Sequence, residues 1–191
     1  MTDVNGQIPF EGDTFIPLEI LSLKSKFKLK HFIETGTQYG ATTEFLSDYF
    51  KGGINFTIEA DEDYFVKAAE RLEHSEVALI LDRSEVALGH LKPIENTLFF
   101  LDAHGCATGG CPLKEELSII ADYKLKNKVI VIHDFKVPNY PDFGFDTYDF
   151  ELNFEEIEKQ LKQVYPEGFN YHYNSQANGA KRGIIYIYPK L

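Results

Sequence analysis

Polar side chains that could do chemistry recur along this chain wherever a short apolar run ends. They are Glu34-Thr35-Gly36, Glu59, Asp82, Asp102 and the pair His133-Asp134. Carboxylates and imidazoles together can accept hydroxyl hydrogen bonds, ligate a divalent cation or move a proton. Because the carboxyl ends of parallel strands meet at one edge of a sheet, the pattern predicts a single polar site if these runs are strands.

Seven apolar or β-branched runs are typical of strands, at residues 31–34, 55–59, 77–81, 97–102, 128–133, 170–173 and 183–188. Segments between them carry apolar residues at helical spacing, at residues 41–49, 62–72, 84–91, 113–125 and 154–164. This alternation predicts an α/β fold, a Rossmann-like, doubly wound sheet of seven mostly parallel strands with an antiparallel last strand. Residues 1–30 are expected to form an N-terminal helical cap around 15–27, and residues 31–191 a single domain.

The loop after the first run has the spacing of a ligand site. Gly36 and Gly40 form a G-x-x-x-G pattern between the predicted strand and the helix that starts at Ala41. Glycines allow a ligand to approach the backbone, and a helix N-terminus offers free N–H donors. The spacing differs from the G-x-G-x-x-G of dinucleotide folds. Because a Glu34 carboxylate would repel a pyrophosphate and suits a cationic or hydroxyl-rich ligand, the loop favours S-adenosylmethionine over a nicotinamide dinucleotide.

Each acid at a strand end also has a structural explanation, because such residues commonly form turns and helix caps. Asp61 and Asp82 are the clearest examples. Glu59 has a stronger case as a ligand contact, since it follows the glycine loop by about 20 residues, where an acid conventionally accepts ribose hydroxyl bonds. Five successive strand ends with polar groups favour a shared binding edge.

In this order, the residues resemble the successive motifs of class I S-adenosylmethionine-dependent methyltransferases. The resemblance spans about residues 30–188 and rests on Glu34-x-Gly36-x-x-x-Gly40, Glu59, Asp82-Arg83-Ser84 and Asp102-Ala103-His104. The motif Asp102-Ala103-His104 and the segment 111–117 together resemble a branch of small-molecule and sugar O-methyltransferases.

The resemblance implies S-adenosylmethionine as cofactor and a set of contacts to it. Carried over by position, the contacts are Glu34, Thr35, Gly36, Thr37, Gly40, Thr42, Glu59, Ala60, Asp61, Asp82, Ser84 and Asp102. The glycine loop would line the methionine end, the second strand end the ribose and adenine, and the third the adenine edge. Arg83 departs from the Gly-Asp-Ser that related chains often have, which favours Ser84 over Asp82 as a contact.

The ends of the fourth and fifth strands are expected to carry the chemistry. Adjacent strands lie about 5 Å apart, so Asp102 and Asp134 could share a divalent metal ion. His133 would either bind the metal directly or contact one of its ligands. Oxygen-rich ligation suits Mg²⁺ or Mn²⁺, and metal-dependent O-methyltransferases resemble this arrangement. His104 is the expected general base and Asp102 the other catalytic residue. Alternatively, His104 is a core or loop residue, and the carboxylates bond loop amides or substrate hydroxyls directly.

Composition limits the class of protein and of partner. The 191 residues suffice for one α/β domain, and 43% hydrophobic residues with 16 Phe and 11 Tyr support a large core. A formal net charge of −11 argues against nucleic acid as the main partner, so the basic segment 24–30 is expected to be a solvated helix face. The chain has no run of 18 apolar residues and no basic-apolar leader, which predicts a cytoplasmic protein without a membrane segment.

The only cysteines are Cys106 and Cys111, in a Gly-containing loop at 105–111 that could act as a lid. We expect reduced thiols, although a bridge between them is geometrically possible. A zinc site would need two more ligands, of which His104 could supply one.

Two further loops are expected to shape the acceptor pocket. Residues 135–150 combine aromatic rings with acids, which fits a carbohydrate, although packing explains the rings equally well. In the loop 174–182, Lys181 and Arg182 would meet an anionic group or solvent.

The favoured function is methyl transfer to a hydroxyl of a small polyol, with a sugar or glycan as the preferred acceptor. Alternatives are a catechol, phenol or nitrogen acceptor, a non-catalytic scaffold of the same fold, and a nicotinamide-dependent enzyme. Formation of a homo-oligomer and membership of a larger multidomain enzyme are left open.

Overall fold

Helices and strands alternate along the chain in the order that the sequence predicts. The computed structural model describes residues 8–105 and 110–190. After a short 3-10 turn (Pro9–Gly12), the elements are α1 (Phe15–Phe27), β1 (His31–Thr35), α2 (Ala41–Tyr49), β2 (Phe56–Glu59), α3 (Glu62–Arg71), β3 (Ala78–Leu81), α4 (Ser84–His90), β4 (Thr97–Leu101), α5 (Leu113–Asp122), β5 (Lys128–Ile132), α6 (Phe154–Val164), β6 (Phe169–Tyr173) and β7 (Ile185–Pro189). Within these residues, no helix is both long and apolar enough to cross a membrane. The helix α5 was predicted to reach residue 125 but ends at Asp122, because Lys124 adopts a left-handed φ of 55°.

The strands form one sheet in the order β3-β2-β1-β4-β5-β7-β6. The first five of these are mutually parallel, whereas β7 runs antiparallel to both β5 and β6. The predicted doubly wound sheet with an antiparallel last strand is therefore confirmed. The strand order reverses between β1 and β4, which is the point where open α/β sheets usually bind ligands.

Every residue of β4 and β5 is buried, because helices cover both faces of the sheet. Phe99 and Ile130 pack on one face with α5 and α6, and Phe100 and Val131 pack on the other face with α1 and α2. Burying a side chain of this size contributes about 1.5–3 kcal/mol. The two strands therefore give rigid support to the polar residues that follow them.

Residues 8–14, the N-terminal strap, lie across the carboxyl ends of the central strands. The Phe10 ring packs edge-to-face on Phe45 and Phe100, with ring centroids 5.3 and 5.7 Å away. The Phe10 N–H donates to Thr42 Oγ1 at 3.0 Å. Because Asp13 accepts the N–H of Asn178 at 3.1 Å, the strap is also tied to the loop before β7.

Candidate active site

A cavity of about 500 Å³ opens at the carboxyl ends of β1 to β5. This volume is within the range of small-molecule sites. The sequence-predicted residues that line it are Gly36, Thr37, Thr42, Glu59, Ala60, Asp82, Ser84, Asp102, His104, His133 and Asp134. The predicted polar edge and the cavity thus coincide, with contributions from all five strand ends.

The loop after β1 passes very close to the end of β4. Gly36 has a φ of 82°, and a Cβ there would lie 2.3 Å from the carbonyl oxygen of Asp102. Only glycine fits this approach without a shift of the backbone. Gly36 and its neighbours therefore present main chain to the cavity, whereas Gly40, the N-cap of α2, lies outside the lining.

Glu59 is the carboxylate best placed to accept hydroxyl groups of a ligand. It lines the cavity although it is only 6% exposed. Its Oε2 accepts the N–H of Gln38 at 2.7 Å, and its Oε1 accepts the N–H of Asp61 at 2.9 Å. Each carboxylate oxygen can accept a second hydrogen bond. Glu59 can therefore hold the loop after β1 and bind a ligand hydroxyl at the same time.

The ends of β2 and β3 close one side of the cavity with Ala60, Tyr64, Asp82 and Ser84. Asp61, predicted to lie beside an adenine, is outside the lining. Its Oδ1 caps α3 by accepting the N–H groups of Asp63 at 2.9 Å and Tyr64 at 3.1 Å. A helix cap accounts for this acid without any ligand.

Glu34 and Thr35 are buried beneath the cavity and do not line it. The Glu34 carboxyl accepts hydrogen bonds from the hydroxyls of Thr43 and Thr57, the latter at 2.7 Å. Burial raises the pKa of Glu34 to about 8, although these two hydroxyls oppose the shift. Glu34 therefore ties α2 to β2 in a largely uncharged form. The sequence predicts that its carboxylate faces the ligand, but the side chain lies outside the cavity lining.

Asp102, His133 and Asp134 meet at the ends of β4 and β5. One ligand atom from each lies within 4.8 Å of the others. The Nδ1 of the buried His133 lies 3.1 Å from Asp134 Oδ1 and 3.3 Å from Asp102 Oδ1. Burial alone would lower the pKa of His133, but the two carboxylates hold it well above its ordinary value. Asp134 has a left-handed φ of 57°, a backbone conformation that aspartate adopts more readily than most residues.

This donor set fits a divalent cation when His133 is neutral, because a metal ion that binds the imidazole must displace its extra proton. Both carboxylates approach the same nitrogen of His133, yet neither ring nitrogen makes a well-directed hydrogen bond within the described part of the chain. The two carboxylates account for a protonated His133, whereas a neutral His133 would offer a ring nitrogen to a metal ion. Carboxylate oxygens suit Mg²⁺ and Mn²⁺, and the imidazole shifts the preference towards Mn²⁺ or Zn²⁺.

Arg182 adds a second positive charge to this cluster. Its Nε donates to Asp134 Oδ1 and its Nη2 donates to Asp146 Oδ1. Burial would raise the pKa of Asp134, but His133 and Arg182 hold that pKa well below its usual range. The sequence predicted an anionic ligand or solvent as the partner of Arg182. Its partners are instead two carboxylates of the chain itself.

His104 lines the cavity two residues beyond Asp102. Its Nε2 lies 3.2 Å from the carbonyl oxygen of His133, so Nε2 must carry a proton and donate it. Its Nδ1 lies 3.7 Å from the Sγ of Cys111. Burial raises the pKa of the Cys111 thiol to about 12, so the thiol keeps its proton and acts as a weak donor. These contacts leave Nδ1 as the basic nitrogen of His104.

Cys106 and the centre of the predicted lid lie outside the described residues. The rings of the 135–150 loop mostly pack on the chain itself: Tyr140 stacks on Phe143 with centroids 4.8 Å apart, and Tyr148 donates to Asp146 at 2.8 Å. No ring of this loop lines the described wall of the cavity. The loop therefore contributes Asp146, and not an aromatic platform.

Glu11 is a charged cavity residue that the sequence analysis does not predict. It comes from the strap, and partial burial raises its pKa, an effect that His133 opposes and Asp134 reinforces. It lies in a turn where Phe10 and Glu11 have left-handed φ values of 51° and 52°. No periodicity or motif marks this turn, so only long-range packing could reveal it.

Comparison with known proteins identifies the fold. No family model and no curated protein match the chain. Among solved structures, a proposed caffeoyl-CoA O-methyltransferase from Staphylococcus aureus has a TM-score of 0.63 at 14% identity, covering 96% of this chain and 87% of that one. A proposed O-methyltransferase from Klebsiella pneumoniae has a TM-score of 0.62 at 16% identity, covering 96% and 84%. A proposed methyltransferase from Streptococcus mutans, in complex with S-adenosylhomocysteine, has a TM-score of 0.57 at 17% identity, covering 90% and 97%.

The chain thus has the class I methyltransferase fold, which confirms the predicted fold class. At these identities the likeness extends to the fold alone.

Proposed function

We propose that this protein is an S-adenosylmethionine-dependent O-methyltransferase that acts on a hydroxyl of a small polyol, with sugars and glycans as the preferred class. One observation carries the proposal: Glu59, which can accept ligand hydroxyls, lines the same cavity as Asp102 and His104, which can accept or move a proton. Solved proteins of this fold are described as methyltransferases, which supports the choice of S-adenosylmethionine as the cofactor.

The cofactor would lie along the ends of β1, β2 and β3. Glu59 would accept the ribose hydroxyls on the lone pairs that Gln38 and Asp61 leave free. Ser84 and Asp82 would contact the adenine, and the main chain at Gly36 would face the methionine part.

The acceptor would occupy the half formed by β4 and β5. In a direct displacement, the acceptor oxygen attacks the sulfonium methyl carbon, the C–S bond breaks as the C–O bond forms, and the acceptor loses its proton. His104 Nδ1 would take this proton, because a hydroxyl is a stronger donor than the Cys111 thiol and would displace it. The main source of rate would be positioning of the two reactants.

Asp102, His133 and Asp134 would hold a divalent cation, Mg²⁺ or Mn²⁺, which when bound polarises a hydroxyl group. The same carboxylates can also accept hydroxyl hydrogen bonds directly. Arg182 would keep Asp134 and Asp146 in place through its two hydrogen bonds.

A nitrogen acceptor is the second candidate, because of Glu11. Its carboxyl joins Asp102, Asp134 and Asp146 on the same part of the wall, where Arg182 and His133 supply the positive charge. This surplus of acids would attract an acceptor that carries an amino group.

Transfer of a labelled methyl group from S-adenosylmethionine to a panel of sugars, glycans, catechols and amines tests the proposal, with and without added Mn²⁺. His104→Gln should lower kcat by about 10²–10⁴-fold and leave cofactor affinity within about twofold, whereas the control Cys111→Ala should keep its turnover. Wild-type turnover in His104→Gln would contradict the assigned base. Transfer to amines alone would select the second candidate, and transfer to no acceptor would count against both.

A further inference from the structure

A second cavity, of about 940 Å³, lies at the opposite end of the sheet. Its wall includes the start of β5, the end of β7 and the last residues of α1 and α6. The proposed methyl transfer uses none of these residues. The cavity therefore needs an explanation of its own.

Six lysines line this cavity: Lys26, Lys28, Lys124, Lys126, Lys128 and Lys190. They are nearly a third of the 19 Lys and Arg residues in a chain whose formal net charge is −11. Within residues 8–105 and 110–190, none of the six forms an ion pair with a carboxylate, and Glu167 is the one acid of the lining. The region is thus locally positive on an acidic protein.

Two alternating segments bring most of these lysines together. Lysine occupies every second residue from Lys24 to Lys30 and again from Lys124 to Lys128. The side-chain Nδ2 of Asn127, in the second segment, donates to the carbonyl oxygen of Phe27 in the first at 2.7 Å. The segment 24–30, expected to be a solvated helix face, is therefore half of a two-part basic surface.

Helix ends account for only part of this positive charge. The helices α1, α5 and α6 all end at the cavity, and each C-terminus carries about half a negative charge. Together with Glu167, these ends offset less than half of the six ammonium groups. Glu95, whose carboxylate accepts the main-chain N–H groups of Lys126 and Asn127, offsets one more, so about 2.5 positive charges stay unmatched.

Lys128 is the recessed member of the group, with 2% exposure. Its Nζ donates to the carbonyl oxygen of Leu125 and lies 4.5 Å from the centre of the Tyr165 ring. An ammonium group has three N–H donors, so two are left without an acceptor in the described part of the chain. Burial lowers the pKa of Lys128 to about 8, although the nearby Glu95 carboxylate opposes the shift.

We propose that this cavity binds a small molecule carrying two or more linked phosphate groups. Lysines act as mobile point charges that suit phosphate, and no arginine, the usual residue for bidentate carboxylate recognition, is among the lining residues described. The volume also suits a small molecule. A long nucleic acid would have to extend over a surface of net negative charge. Inorganic oligophosphates and nucleoside polyphosphates share the required chemistry.

Calorimetric titration of the full chain with tripolyphosphate, in metal-free buffer at low salt, tests this site. Uridine triphosphate serves as the nucleotide probe, because an adenine nucleotide could enter the other cavity. Two double variants carry the same charge change: Lys26→Gln/Lys124→Gln inside the cavity, and Lys92→Gln/Lys159→Gln at exposed residues outside its lining and outside both basic segments. Lys128→Met removes the recessed cation, and thermal unfolding checks that each variant folds.

We expect tripolyphosphate to bind at least about tenfold more tightly than orthophosphate, and the lining variants to weaken it about tenfold or more. The control pair should change the affinity less than about twofold. Tighter binding of uridine triphosphate than of tripolyphosphate would support an organic ligand. Tighter binding of tripolyphosphate would support an inorganic ligand. The proposal is overturned if tripolyphosphate does not bind, if the control pair weakens it as much as the lining pair, or if only an RNA oligomer binds. Because the site is independent of the cofactor cavity, the result does not depend on methyl transfer.

Discussion

The two halves of the main cavity are built in different ways. The half at β1, β2 and β3 depends on main chain, through the close approach of Gly36 to Asp102 and the N–H groups that Glu59 accepts. The half at β4 and β5 depends on charged side chains that distant segments bring together, such as Asp134 and Arg182. A backbone-built half suits a ligand of fixed shape, whereas a half built from side chains can be adapted to a particular acceptor. The comparison therefore predicts that substitutions can separate cofactor binding from turnover.

Asp102→Asn should give the largest effect and confine it to the side-chain half. Loss of this carboxylate removes a ligand or hydroxyl acceptor at the reacting centre, so kcat should fall about 10³-fold, measured with labelled S-adenosylmethionine. Cofactor affinity should stay within about twofold by calorimetry. The exposed Asp142→Asn in the neighbouring loop is the matched control and should behave as wild type. Unchanged turnover in Asp102→Asn would refute its catalytic assignment, and equal loss of cofactor binding would refute the separation of the halves.

Gly36→Ala should damage the backbone-built half. The new Cβ would lie 2.3 Å from the Asp102 carbonyl oxygen, so the free energy of unfolding should fall by about 3 kcal/mol or more. Gly52→Ala is a sharp control, because Gly52 has a similar φ of 74° but no atom within 4 Å of the place that a Cβ would occupy. The Gly52→Ala variant should lose only about 1–2 kcal/mol of unfolding free energy, measured by chemical unfolding. Equal losses in both variants would show that the φ value alone matters, and not the close approach.

Glu59→Gln should weaken cofactor binding by about 10- to 100-fold, because it removes charged hydrogen bonds. The new amide N–H₂ would also face a main-chain N–H, so that two donors meet without an acceptor. Calorimetry with S-adenosylmethionine measures this change. The exposed Glu62→Gln, three residues later, carries the same chemical change outside the cavity and should bind normally. Wild-type affinity in Glu59→Gln would remove Glu59 from the cofactor site.

Glu34→Gln should have the smallest effect on turnover, because Glu34 does not line the cavity, and it should alter the pH dependence of stability. Burial raises the folded pKa of Glu34 from 4.5 to about 8. Its contribution to stability is therefore fully present below about pH 4.5 and is lost as the pH rises towards 8. Between pH 5 and pH 8, the variant should lose less stability than wild type, by about 3 kcal/mol. Identical slopes in chemical unfolding at the two pH values would contradict a raised pKa.

The backbone-built half was largely predictable from the sequence, because Gly36 and Glu59 lie in local patterns that also define the strands. Even there, local pattern did not show that Glu34 faces Thr43 and Thr57 and not the cavity. The charged half was only partly predictable. Arg182 lies 48 residues from Asp134, and the strap brings in Glu11 from before the first helix, so only the packed chain reveals these contacts.

The basic cavity gives the same lesson at the other end of the sheet. The segment 24–30 has an ordinary local explanation, and its partner segment lies about a hundred residues later. Only the juxtaposition of the two segments indicates a binding site.

The most direct test of the central claim is calorimetric titration of the wild-type chain with S-adenosylmethionine, with Glu59→Gln and Asp102→Asn titrated alongside. The proposed function predicts saturable micromolar binding that Glu59→Gln weakens and Asp102→Asn retains. An absence of binding to the wild-type chain, with or without Mg²⁺ or Mn²⁺, would contradict it and leave a fold without this cofactor.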